Sequence, residues 1–297
     1  MNAPPTRILL TGANGQVGWE LHRTLATLGQ VVAMDSRAMD LADPDAIRRA
    51  LAEVRPRLIV NPAAYTAVDQ AEREPDLARK VNAEAPGILA EAAAKSGALL
   101  VHYSTDYVFG GGGISPWKEN DPTAPVNVYG ATKLAGEQAI IASGCHHLIF
   151  RTSWVYGARG TNFLLTMRRL VRERPELKIV DDQVGAPTWC RGLAEATAQV
   201  LAQLASPLRG ADRPEPWGVY HMTNAGETSW YGFAQAILDW EGLAAPPRLL
   251  PIPSTDYPTP AHRPLNSRLD NGKLARVFGL RLPPWRDALK LCLDKAE

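Results

Sequence analysis

The sequence has no uninterrupted apolar run near the roughly 18 residues that a membrane span needs. It also has no internal repeat and no low-complexity linker. Charge of one sign is missing too: 32 basic residues meet 31 acidic ones, for a formal net charge of +1. Such a balance gives no electrostatic grip on nucleic acid or on an anionic membrane. Cysteine is scarce. Cys145, Cys190 and Cys292 are an odd number set far apart, so they offer neither a metal-ligand spacing nor a disulfide frame. A reducing setting fits them best, and the expected location is the cytoplasm. The opening residues, MNAPPTRILLTGANG, carry no basic leader and enter a short apolar run and a glycine turn at once, unlike a secretory signal.

What is present is a chain of 297 residues, 45% of them hydrophobic, enough for one large domain with a smaller lobe. Short apolar runs at 7–12, 31–35, 57–64, 98–105 and 147–157 alternate with helical patterns at 16–29, 45–54, 75–96 and 129–143. Strand–helix alternation of this kind predicts an α/β fold, a doubly wound parallel sheet of Rossmann type with right-handed crossovers. Beyond residue 157 the alternation weakens, and prolines crowd the stretch PPRLLPIPSTDYPTPAHRPLN at 246–266. The expected division is a dinucleotide-binding domain over 1–157 plus about 189–224. About 158–188 plus 225–297 would form an irregular C-terminal lobe, with ligand between the two.

TGANGQVG at 11–18 sets Gly12, Gly15 and Gly18 directly after a strand and directly before a helix. In that context Gly12 permits a tight turn, Gly15 lets backbone approach a pyrophosphate, and Gly18 lets the helix pack on the strand. The helix N-terminus then offers free N–H groups to the phosphates. Asp35 ends the second strand, where an acid bonds the adenosine ribose and favours NADH. Arg37, two residues on, is suited to a 2′-phosphate and favours NADPH. The two indications oppose each other, so the cofactor is NADPH or NADH. Asp40 and Leu41 stand where they would flank the adenine, and Asp43 reads as a helix cap.

VYGATKLAGE at 128–137 sets Tyr129 four residues before Lys133, on one helical face. A nearby ammonium is expected to pull the phenol pKa down from about 10 toward neutrality, so that the tyrosine can exchange a proton with a carbonyl oxygen. The small residues between them are expected to keep the site open. HYSTDYVFGG at 102–111 places Thr105 at a strand's carboxyl end, where open parallel sheets hold ligands. Its hydroxyl would orient the phenol.

With these elements in this order the chain resembles the extended short-chain dehydrogenase/reductases. TGANGQVGWEL, NPAAYTAVDQAE, HYSTDYVFGG, VYGATKLAGE, RTSWVYG, DDQVGAPT and YPTPAHRPLNSRLD narrow the resemblance to the dTDP-4-dehydrorhamnose reductases, from about residue 7 onward. The resemblance implies reduction of the C4 ketone of dTDP-4-dehydro-β-L-rhamnose. It gives Tyr129 as proton donor, Lys133 as ribose contact and tuner, and Thr105 as third catalytic hydroxyl. It further implies Gly15, Gln16 and Val17 as the pyrophosphate loop and Ala63, Ala64 and Tyr65 as cofactor contacts. Thr105 and Asp106 would touch the sugar, with Trp154 walling its site. Arg263 and Ser267 would reach the nucleotide diphosphate. Some members form a homodimer bridged by Mg2+ between carboxylates. Glu20 matches one carboxylate, but Arg191 stands near the place of another, so a metal bridge is not expected and the oligomeric state stays open. Two rival readings remain. One is a nucleotide-sugar epimerase or dehydratase of the same superfamily. The other is a non-catalytic dinucleotide-binding subunit like that of methionine adenosyltransferase.

Overall fold

The computed structural model describes residues 6–206 and 215–294. Five strands come first: β1 (Arg7–Leu10), β2 (Gln30–Ala33), β3 (Leu58–Asn61), β4 (Leu99–Thr105) and β5 (His147–Thr152). With the strand Gly218–His221 they form one six-stranded sheet, and every pairing within it is parallel. From one edge the order is Gly218–His221, β5, β4, β3, β1, β2. The chain therefore reverses direction across the sheet between β1 and β3, and the crevice at such a reversal is where open α/β sheets bind ligands.

Side chains alternate between two cores, as a sheet covered on both faces requires. Ile8, Leu10, Leu58, Val60, Val101 and Tyr103 pack on one face with Leu193 and Val200 of the helix Cys190–Ala205. Leu9, Ile59, Leu100 and Ile149 pack on the other with Ile47, Leu89 and Ile140. Full burial of each large apolar side chain stabilises the fold by about 1.5–3 kcal/mol. α1 (Gln16–Thr24) follows the glycine turn. In α2 (Pro44–Val54), Asp43 accepts from the Asp45 N–H as the cap and Pro44 opens the first turn.

The helical pattern at 75–96 is interrupted by one wide π turn, Lys80–Glu84. Pro86 explains it: proline has no N–H for the Asn82 carbonyl, and its ring crowds that carbonyl. The widened turn leaves the buried Asn82 side chain to bind the Tyr65 backbone on both sides, at 2.8 and 3.1 Å.

The lobe is more regular than its prolines suggested. Helices Phe163–Glu173, Trp230–Glu241 and Trp285–Leu293 share a core of Leu164, Met167, Phe233, Ile237, Trp285 and Leu289. Asn162 and Ser229 cap the first two. Strand Arg248–Ile252 pairs with Glu176–Val180 despite Pro251. The helix Gly272–Phe278, by contrast, packs on the sheet: Leu274 and Phe278 belong to its core, and Phe278 lies against Tyr220 of the strand Gly218–His221. Among the described residues, no helix is long and apolar enough to cross a membrane.

Candidate active site

A cavity of about 540 Å³ runs along the carboxyl ends of the strands. At one end lies the glycine turn. Gly12 has φ +56°, and a Cβ there would sit 2.9 Å from the Ala63 Cβ. A Cβ on Gly18 would sit 2.1 Å from the Gly12 carbonyl oxygen. Neither position tolerates a side chain, so the turn is pressed between β3 and α1. Gly15 precedes the first turn of α1, whose N–H groups open toward the cavity with Gln16 and Val17 on its wall. Gln16 Oε1 also accepts from Asn162 Nδ2 at 2.8 Å, tying this turn to the lobe.

Farther along, Asp35, Asp40 and Leu41 line the cavity from beyond β2, and Ala63, Ala64 and Tyr65 line it from beyond β3. Asp35 Oδ1 accepts from the backbone N–H groups of Arg37 and Ala38, and Oδ2 from Asn14 Nδ2. Chiefly the Ala38 N–H holds this carboxyl below its usual pKa. Arg37 is exposed and is absent from the cavity lining; what it contributes there is its backbone N–H to Asp35. Asn14 and Ser36 do line the cavity, although no sequence signal singled them out.

At the far end stand Tyr129 and Lys133, on the helix Val128–Ala142, with Ser104 and Thr152 from the ends of β4 and β5. Asn127 caps that helix, accepting from the Gly130 N–H at 2.7 Å, and its Nδ2 donates to the His262 carbonyl. The small residues in the Tyr129–Lys133 interval serve packing rather than openness. A Cβ on Gly130 would sit 2.2 Å from the Tyr107 carbonyl oxygen, so glycine lets the helix press against the turn after β4. Gly136 does the same against the Asn82 carbonyl.

Burial opposes the expected lowering of the Tyr129 pKa by Lys133. Burial drives the phenol above its ordinary value; a hydrogen bond with Thr105 lowers it and the Asp106 charge raises it. Lys133 is drawn elsewhere: its Nζ donates to the Tyr103 carbonyl at 2.6 Å and lies 3.1 Å from His102 Nε2. Burial brings the lysine down to about 8, with Glu137 opposing the shift. Glu137 is itself buried against Arg151 at 2.6 Å and accepts from Ser104. This ion pair locks the helix to β4 and β5.

The residues expected at the sugar lie outside the cavity lining. Thr105 donates to Asp106 Oδ1 at 3.1 Å. Asp106 is 2% exposed, and burial pushes its carboxyl up to about 7 against hydrogen bonds from Ser267 and Thr105. Its Oδ2 has no partner among the described residues. Trp154 has a φ of +48° and stacks on Trp230, ring centroids 3.7 Å apart. Arg263 grips Asp69 with both NH1 and NH2, at 2.9 and 2.8 Å, clasping the lobe to the segment after β3. Arg191 pairs with Glu195 at 2.8 Å. Among the described residues no cluster of three or more His, Cys, Asp or Glu is placed to hold a metal.

The glycine cradle, where a Cβ would strike backbone, and the length of the adjoining cavity fit a dinucleotide in the orientation the fold prescribes. Comparison with known proteins agrees. The RmlD substrate binding domain family matches residues 6–297. A dTDP-4-dehydrorhamnose reductase of Burkholderia thailandensis is 53% identical over 294 residues, covering 97% of this chain and 98% of that protein. The Escherichia coli K12 reductase is 46% identical, covering 97% of each. Among solved structures, a Bacillus anthracis dTDP-4-dehydrorhamnose reductase in complex with NADP superposes with a TM-score of 0.88 at 35% identity, covering 97% of this chain and 98% of that one. A Thermus thermophilus UDP-glucose 4-epimerase shares the fold, with a TM-score of 0.75 at 23% identity. With the glycine turn and the Tyr129–Lys133 pair on one cavity, and relatives matched over nearly their whole length, the chain belongs to the dTDP-4-dehydrorhamnose reductase family.

Proposed function

We propose that the protein reduces the C4 ketone of dTDP-4-dehydro-β-L-rhamnose to dTDP-β-L-rhamnose, the last step of dTDP-rhamnose biosynthesis, with NADPH or NADH as reductant. One observation carries the reading: a single cavity starts at the glycine cradle and ends at Tyr129 and Lys133. The bound nicotinamide would supply the hydride. The chain does the rest. α1 and its glycine turn hold the pyrophosphate, Asp35 and Asn14 hold the adenosine ribose, and Lys133 holds the nicotinamide ribose. Tyr129 delivers a proton to the ketone oxygen. A phenol kept protonated by burial suits that direction of transfer, because reduction needs the acid form. Thr105, hydrogen-bonded to the phenol, orients it.

The sugar nucleotide is assigned to the side of the cleft where the lobe meets the turn after β4, with Asp106, Trp154, Arg263 and Ser267 as its contacts. The intact Thr105, Tyr129 and Lys133 set favours a working enzyme over a regulatory subunit, and Tyr107 after Asp106, where a dehydratase would favour an acid, favours reduction over elimination. The cytoplasm is the expected setting; the oligomeric state is open, a homodimer being one outcome, and light scattering after gel filtration reads it. The test is a coupled assay. Preceding enzymes generate the keto-sugar nucleotide, the protein is added with NADPH or NADH, and nicotinamide absorbance is followed. Oxidation with dTDP-rhamnose as product is expected. Absence of oxidation by folded, cofactor-binding protein would overturn the proposal.

A further inference from the structure

Lys133 is 1% exposed, and its ammonium has three N–H groups to place. The Tyr103 carbonyl takes one and His102 Nε2 faces another, so β4 occupies two directions and leaves the third for the cavity that Lys133 lines. His102 is fully buried, and behind it lies a chain of buried polar groups. His102 Nδ1 is 3.0 Å from Asn61 Nδ2, and Asn61 Oδ1 accepts from the Thr11 hydroxyl at 2.6 Å. Asn61 and His102 are register partners on β3 and β4, and Thr11 follows the Leu10–Val60 pair of β1 and β3. The chain thus crosses three neighbouring strands side by side and ends on the lysine.

This connectivity restricts each group. An ammonium only donates, so the ring nitrogen facing it must accept, and the ring proton must sit on Nδ1. Nδ1–H then needs an acceptor. Asn61 supplies one when its amide is turned by half from the placement just given, oxygen toward the ring and NH2 toward the Thr11 oxygen, which leaves the shape of the side chain unchanged. The opposite arrangement, with the amide NH2 toward Nδ1, puts the ring proton on Nε2 and suits only a neutral lysine. We propose that His102 is a positioning residue for Lys133: a neutral imidazole protonated on Nδ1, held by Asn61, whose Nε2 accepts from the ammonium and turns its remaining N–H into the cavity. Charge favours this form. Burial holds the imidazole well below its ordinary pKa, and the lysine charge adds to the effect. The groups facing Lys133 are this ring on β4 and, on its own helix, Glu137, which is paired with Arg151 of β5. A buried imidazole obliges Asn61 and Thr11 to be polar as well.

The inference rests on the role proposed above for Lys133, but its first test does not. Protein labelled with 15N-histidine is examined by long-range 1H–15N correlation between pH 5.5 and 7.5, with His102→Gln locating the resonances. A ring protonated on Nδ1, bare on Nε2 and not titrating is expected. A proton on Nε2, or titration in this range, would overturn the proposal whether or not the protein is a reductase. The second test uses His102→Leu, with His102→Gln as the variant that keeps an acceptor near the position of Nε2. Removing the acceptor destabilises the ammonium and lowers the Lys133 pKa. The basic limb of the kcat/KM profile should then move down by about one pH unit, and NADPH and NADH affinity by fluorescence titration should weaken several-fold. The glutamine variant should restore both. An unmoved limb with unchanged affinity in a folded leucine variant would refute the positioning role. Absence of turnover in the unmodified protein would instead count against the reductase reading.

Discussion

The proposed cofactor side and the proposed sugar side of this cleft are built by different means. The cofactor side is largely backbone: a glycine turn, the ends of three strands and the first turn of a helix, all fixed by the sheet. Its expected residues, Arg37 apart, line one cavity. The sugar side is made of side chains that hold one another. Trp154 lies on Trp230, Arg263 on Asp69, and Asp106 near Thr105 and Ser267. A ligand on the first side meets a finished surface. On the proposed assignment, a ligand on the second would exchange partners with contacts already made.

Several substitutions would sharpen or break this contrast. Tyr129→Phe should lower kcat by roughly a thousandfold with NADPH and NADH affinity retained; normal turnover would remove the phenol from the proton step. Gly18→Ala forces a Cβ against the Gly12 carbonyl. It should weaken dinucleotide binding by about a hundredfold and cost about 1–3 kcal/mol of stability, read by calorimetry and fluorescence titration. Binding unchanged in this variant would mean that the cradle is not the pyrophosphate site. Arg263→Ala should raise KM for the sugar nucleotide about tenfold, as loss of a charged hydrogen-bonding partner implies, while leaving cofactor affinity alone. A change in both would show the two sides to be one unit. The smallest effect belongs to Arg37→Ala: a rise of about two- to fourfold in KM for NADPH, in keeping with an exposed contact, and none for NADH. Equal changes for the two cofactors would exclude Arg37 from the 2′-phosphate.

The same contrast explains what the amino-acid sequence disclosed. Strand, glycine turn and helix are local patterns, so β1, α1 and the cradle are legible from a dozen residues. The Tyr129–Lys133 spacing is legible for the same reason. What joins distant segments is not. Nothing near Arg263 announces Asp69, and nothing near Lys133 announces His102 and Asn61. The expectation that a neighbouring lysine would acidify the phenol is opposed by burial, and helical spacing gives proximity but not direction: the ammonium points to β4. The lobe helices were obscured by proline, which marks turns well but says little about the chain between them. Asn162 before FLLTMRRL and Ser229 before WYGFAQAI were readable as caps all along.

The wide turn at Lys80–Glu84 has a consequence for how this chain can change length. A π turn carries one residue more than the helix it interrupts, so the two flanking helices, Pro75–Arg79 and Ala85–Ser96, are out of phase by one step of about 100°. Deleting a residue there would leave Pro86 unaccommodated and rotate everything beyond it. Leu89, Ala90 and Ala93 would swing away from the sheet, and Asn82 would leave Tyr65. The irregular turn is therefore a phase-setting insertion, and residue count in this stretch is held more tightly than residue identity.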